Sequence, residues 1–302
     1  MAKISRIQGD MDDVDALLEI LSVIKDVATN RLFAFAQRKA NFQTFFDMFM
    51  VFFREMQNID VQCPLIKNDC PKVTILTIAS DAGFMGQLNN RVSAIAFNHS
   101  LANPGSTISC LGRRCAERLK MLGVRNIDRI FTMAEFPDRY ILSLAIRDYL
   151  VDRVISGKAG KVVIVHLWAK SFTIIKPRIL TILPASELIK PGGGDITEGN
   201  VAAEETKGPE DKIKKIMEAT PEKMMKALAD IWIHARLFEI MADILLVEAA
   251  VQAQQLETAL ESLGSEKKAL LTSFRKAGRD ELNKATREVF TQTSVAKGQT
   301  GR

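Results

Sequence analysis

The chain has 302 residues, 47% of them hydrophobic and 25% charged, which is enough to bury a sizeable core in water. No apolar run reaches the roughly 18 residues that a membrane-spanning helix needs. Net charge is +5, and the nine Lys/Arg against four Asp/Glu between Ser265 and Arg302 carry a surplus equal to that whole excess. Nucleic-acid binding wants aromatics interleaved with basic residues, and Phe274 and Phe290 are a thin supply. A solvated basic face or an acidic protein socket are the readings left open.

The opening segment MAKISRIQGDMDDVD has no apolar signal core, which predicts a cytosolic product. Cys63, Cys70, Cys110 and Cys115 contain no CxxC pair, so they read as reduced structural thiols rather than a zinc site.

Between Gly9 and Pro64 there is neither glycine nor proline. Asp10, Asp12 and Asp13 suit a helix N-terminus, and Met11, Val14, Leu17/Leu18, Leu21, Ile24, Ala28 and Leu32 follow helical spacing. One helix of about 45 residues is predicted. Its second half, FAFAQRKANFQTFFDMFMVFFREM, carries eight phenylalanines, read as core or bundle packing. From Pro71 the period changes. VTILTIAS (73–80), TISCL (107–111), IDRIF (127–131) and KVVIVHLWA (161–169) read as strands, alternating with helices at 86–102, 113–122 and 138–156. That alternation predicts a mostly parallel sheet covered on both faces. FTIIKPRILTILP follows too closely for a parallel crossover, so it returns antiparallel at an edge, where Pro177 is tolerated. The glycine-rich, acidic stretch 190–212 reads as a flexible linker.

From Pro221 to Val295 a last helix carries a stripe of Leu228, Ile231, Ala235, Phe238, Ala242, Leu245, Ala249, Leu256, Ala259 and Leu263, broken at Gln252. Its length, on the order of 100 Å, exceeds a domain of this size, so part of it must project. Two long terminal helices around one α/β domain pair most economically as antiparallel partners. The expected divisions are a shaft helix over 1–60, a globular domain over 71–190, a linker over 191–212 and a second shaft helix over 213–302.

No catalytic constellation emerges. His99, His166 and His234 have no HxxxH or HExxH spacing and read as structural or surface groups. No cofactor or metal site is expected. The loop Ser80-Asp81-Ala82-Gly83-Phe84-Met85-Gly86-Gln87-Leu88-Asn89 could place a phosphate on a helix N-terminus. It lacks the GxGxxG fingerprint, and a tight strand-to-helix turn is the plainer reading, with Gly83 and Gly86 easing the backbone and Asp81 or Asn89 bonding amides.

ILTIASDAGFMGQLN resembles the S/T-D-R-G-L-C-G-G-L-N segment of the gamma subunit of F-type ATP synthases, matching at Asp81, Gly83, Gly86, Leu88 and Asn89. Val27 to Leu32 is similar to that family's M-V-A-A-S-K-M stretch. VVIVHLWAKSFTIIKPRILTILP is similar to its strand pair, and FRKAGRDELNKATREVF (274–290) to its Y-N-K-A-R-Q-A-S-I-T-Q-E-L. Ala82, Met85, Gln87, Val251, Gln252, Gly278, Arg279 and Asn283 depart from the family's pattern. The resemblance implies a Rossmann-like α/β domain inserted between two helices of an antiparallel coiled coil. It implies a non-catalytic rotor shaft in a rotary ATP synthase or ATPase, coupling ion-driven rotation to catalytic sites on other chains. The implied partners are alpha and beta subunits, epsilon and the membrane c-ring, at the cytoplasmic face of a bacterial plasma membrane. By motif position, Arg279 and Asn283 would contact beta-subunit loops, with Arg31 on the partner helix nearby. A coiled-coil scaffold and a small α/β enzyme with a helical appendage are the alternatives.

Overall fold

The fold is seen in a computed structural model that describes residues 2–56, 63–135, 138–169, 174–187 and 220–299. The linker expected at 191–212 lies outside the described residues. In chain order come α1 (Ala2–Met56), β1 (Val73–Ile78), α2 (Gly86–Ala102), β2 (Thr107–Leu111), α3 (Arg113–Met121), β3 (Ile127–Phe131), α4 (Arg139–Ile155), β4 (Lys161–Ala169), β5 (Ile175–Leu183) and α5 (Pro221–Gln299). By compactness the chain divides into two units, residues 1–30 with 252–302 and residues 31–251.

In the larger unit the sheet runs β3-β2-β1-β4-β5. β1 is flanked by parallel β2 and β4, and β3 lies parallel to β2. β5 returns antiparallel on β4 and forms an edge, with Pro177 opposite Leu167, as the sequence predicts. All six residues of β1 are buried, as a central strand covered on both faces requires. Leu76 and Ile78 face one core with Ile146, Leu150, Trp232 and Ile240. Val73, Ile75 and Ala79 face the other with Val92, Cys115, Leu119 and Val247. The period-two alternation of a strand divides them. Gly112, at φ 106°, fits below β1 because a Cβ there would sit 2.6 Å from the Ala79 carbonyl oxygen.

α5 enters both cores, burying Met225, Ala229, Trp232, Ile233, Leu237, Ile240, Met241, Ile244 and Val247. The stripe expected from the sequence is off-centre, since Ile231 is 49% exposed and Leu228, Ala235, Phe238, Ala242 and Leu245 are half-buried. The cause is a second neighbour. Here α5 packs on α1 and on the sheet domain together, so its apolar face is wider than a two-helix seam. Of the α1 phenylalanines expected in the core, Phe42, Phe46 and Phe49 serve that packing, whereas Phe33 is 68% exposed. Phe46 meets Trp232 edge-on at 4.9 Å, and Phe42 lies 5.9 Å from Phe238.

In the smaller unit, Met11, Val14, Leu18, Leu21, Lys25 and Ala28 of α1 are buried or half-buried at alternating steps of three and four. Ala253, Leu256, Leu260, Leu263, Lys267, Leu270, Phe274 and Ala277 of α5 follow the same rhythm. The Lys25 ammonium meets Glu257 at 2.9 Å and that of Lys267 meets Asp15 at 2.5 Å. Ten positions forward on one helix match ten backward on the other, so the pair is antiparallel. Ile24, expected in the seam, is exposed, and Lys25 holds the position instead. The helix also starts earlier than Asp10 and runs through Gly9. A partner helix supplies packing that outweighs the roughly 1 kcal/mol a mid-helix glycine costs.

Candidate functional site

The expected turn motif is built around Ser80. Its amide neighbour Ala82 donates to the Ser80 hydroxyl at 2.9 Å, and the Asn89 side-chain amide donates to the Ser80 carbonyl at 2.6 Å. Asp81 bonds amides as expected, but they are those of Arg113 and Arg114, at 3.2 and 3.1 Å. The carboxylate therefore caps α3, on the next crossover, where unpaired N–H groups and the helix dipole favour an anion. Arg114 returns the contact, donating to the Ala82 carbonyl at 2.8 Å. Gly83 and Gly86 have no positive φ, and a Cβ at either meets nothing within 4 Å. Their flexibility is not what the turn needs. The glycine demanded here is Gly112, which the sequence reading passed over because a lone glycine after a strand carries no motif.

None of the histidines joins a reactive cluster. His99 pairs with Asn103, His166 is buried in β4 with Nδ1 2.9 Å from the Leu167 carbonyl, and His234 meets Tyr140 edge-on. Burial holds His99 and His234 below the ordinary imidazole range. Among the described residues no group of three or more His, Cys, Asp or Glu is arranged to hold a metal ion. All four cysteines are free thiols. None of the described helices is long and apolar enough to cross a membrane.

What the smaller unit offers is surface. Arg279 and Asn283 are both exposed on α5. By the pairing of Asp15 with Lys267, Arg279 stands level with the first turn of α1. Arg31 is exposed too, in the other compact unit. A feature missed by the sequence reading is a second apolar line on α1, with Leu17, Ile20, Val23 and Val27 between 47% and 59% exposed. Periodicity pools it with the seam, since both lines are aliphatic.

A sheet of order 3-2-1-4-5 between paired terminal helices defines the architecture of an ATP synthase central-stalk chain. The central-stalk chain of the Tetrahymena thermophila mitochondrial ATP synthase superposes with a TM-score of 0.57 at 14% identity, covering 80% of this chain and 99% of that one. A chain of the Euglena gracilis mitochondrial enzyme gives 0.54 at 12%, covering 100% and 97%. In sequence, the ATP synthase gamma chain of Helicobacter pylori J99 is 24% identical over 230 residues, 75% of this chain and 70% of that protein. The chloroplastic gamma chain of Trieres chinensis is 21% identical over 248 residues, 76% and 66% of the two chains. The ATP synthase family model matches residues 3–285, and the chain belongs to that family, in its gamma-subunit branch.

Proposed function

We propose that this chain is the central rotor shaft of a rotary F-type ATP synthase or ATPase, carrying torque between an ion-driven membrane ring and ATP-handling sites on other subunits. The observation that carries the reading is the asymmetry of the two-helix unit. On α1 the outward line is apolar, Leu17, Ile20, Val23 and Val27. At the same levels α5 turns Gln255, Thr258, Glu261, Ser262 and Ser265 outward. A shaft within a ring of three alpha and three beta subunits must show each site a different face. Rotation then changes nucleotide affinity by the difference in contact free energy between subunit conformations. An apolar line opposed to a polar one supplies such a difference.

Arg279 and Asn283, exposed near the basic end of α5, are the residues assigned to beta-subunit loops, and exposed Arg31 is available to a ring subunit separately. The sheet domain takes the contacts with epsilon and the c-ring, and the complex sits peripherally at the cytoplasmic face of a bacterial plasma membrane. Chemistry resides on the other subunits. Co-purification with two larger P-loop subunits tests this assignment against a free-standing scaffold or enzyme. Truncation after Ser265 is expected to weaken assembly or coupling while the sheet domain stays folded. A truncated chain that couples like the full one would remove the role given to the tail.

A further inference from the structure

Within the larger unit, α5 is held to the sheet domain by two polar contacts set into an otherwise apolar surface. Arg139, the first residue of α4 and 5% exposed, donates from Nη1 to the Met241 carbonyl at 2.9 Å and from Nε to the Ala134 carbonyl at 2.8 Å. Two helical turns on, the Glu248 carboxylate accepts the hydroxyl of fully buried Ser80. Positions 241 and 248 lie on one face of α5. Ser80 is itself fixed, by Asn89 at its carbonyl and by the Ala82 amide at its hydroxyl. The Arg139 and Glu248 charges also attract.

Trp232 fixes the start of α5 against Phe46 and Phe49, but two turns further on the apolar contacts do not specify one register. Ile240, Ile244 and Val247 follow one another at one-turn steps, as do Ile233, Leu237 and Met241, and each step exchanges one medium-sized side chain for another. A local slide of Ile240 to Val247 by one turn would keep much of the apolar burial there. It would part the Glu248 carboxylate from the buried Ser80 hydroxyl, which is the costly case for buried polar groups. The Met241 carbonyl is a main-chain acceptor that every turn repeats, so Arg139 anchors α5 without choosing its register. A polar group within an apolar seam is a well-attested device for selecting register.

We infer that Ser80 and Glu248 form a register lock that fixes the angle of α5 on the sheet domain, with Arg139 as an anchor beside it, making the pair positioning residues for torque transfer. The lock itself rests on the fold, and its consequence for coupling rests on the rotor reading. In that role the sheet domain turns α5 through these contacts, so the lock sets the phase between the driven end and the shaft.

Spin labels at Ile155→Cys on α4 and Lys226→Cys on α5, in a full chain with Cys63→Ser and Cys70→Ser, read the register directly. The otherwise unaltered chain and Glu248→Gln, whose amide oxygen still accepts from Ser80, are expected to give one narrow distance. The double variant Ser80→Ala/Glu248→Leu is expected to give a broadened or second distance, with Ser80→Ala alone intermediate. In the assembled complex the double variant is expected to keep ATP hydrolysis but lower ions pumped per ATP by about two- to thirtyfold, with Glu248→Gln restoring the ratio. A single narrow distance and an unchanged pumping ratio in both Ser80 variants would overturn the lock. Broadened distances in the double variant, with no assembly of even the unaltered chain, would support the lock and overturn the rotor reading.

Discussion

Gly160 lies so close beneath Cys70 that a Cβ on it would come within 1.9 Å of the Cys70 carbonyl oxygen. The Gly160 amide also donates to the Lys72 carbonyl at 2.8 Å, so the segment leading into β1 crosses directly over the entry to β4. Gly160→Ala must push two backbones apart at the start of the two central strands. Overpacking of this kind costs about 1–3 kcal/mol. Urea unfolding of the variant should show that loss, and an unchanged midpoint would mean the two segments do not touch.

Adjacent positions on α5 should respond in opposite ways. Trp232 is buried against Phe46 and Phe49, whereas Ile231 is 49% exposed. Trp232→Ala should cost about 3–5 kcal/mol. Ile231→Ala should stay within about 0.5 kcal/mol. Thermal melts of the two variants decide which face of the helix is the core face.

Capping of α3 by Asp81 predicts a loss of about 0.5–2 kcal/mol for Asp81→Ala. Asp81→Asn should recover much of it, because Asn is also a good cap. Equal losses for both would show that the charge rather than the hydrogen bonds to Arg113 and Arg114 matters.

Tyr149 donates to Asp128 at 2.5 Å and shares a contact with Ser109 at 2.6 Å, within reach of Arg153. Burial first, then the bond to Asp128, raises its phenol above the ordinary value near 10. The folded chain keeps a proton that the unfolded chain loses. Its contribution is therefore full below about pH 10 and declines as pH rises through the folded value. Subtracting the stability profile of Tyr149→Phe from that of the unaltered chain should leave a fall confined to that alkaline window. A flat difference would contradict the shift.

Lys25–Glu257 and Asp15–Lys267 are partly exposed pairs, with side chains 32% to 50% open. Each should contribute no more than about 1 kcal/mol, and less in high salt. Lys25→Ala and Lys267→Ala should therefore lower the melting temperature slightly at low ionic strength. The difference should shrink in about 1 M salt. A large, salt-independent loss would mean the lysine stems pack in the seam more than their charges pair.

The parallel character of the sheet and its antiparallel edge were legible because local chemistry sets them, whereas the order β3-β2-β1-β4-β5 came only with the structure. Four strands fall at the expected residues, since runs such as TISCL and KVVIVHLWA are apolar stretches cut off by turns. The return of β5 at an edge follows from a connection too short to cross over. The linked ends of the chain were legible too, through helical spacing and the absence of breakers. In the turn motif Asp81 bonds backbone amides as expected, but they belong to a helix some 30 positions away, and Gly83 and Gly86 need no special backbone freedom.

The amino-acid sequence by itself determined the elements, their order, the antiparallel pairing of the long helices and the family, all of which depend on period and local residue type. Tertiary structure alone decided which face of each long helix is inner. Lys25 replaces Ile24 in one seam, and Trp232 replaces Ile231 in the other packing. It also decided that Ser80 and Arg139 hold α5. The physical reason is common to these cases. A helix aliphatic on two sides has a period but no preferred side, and the choice belongs to whatever packs against it.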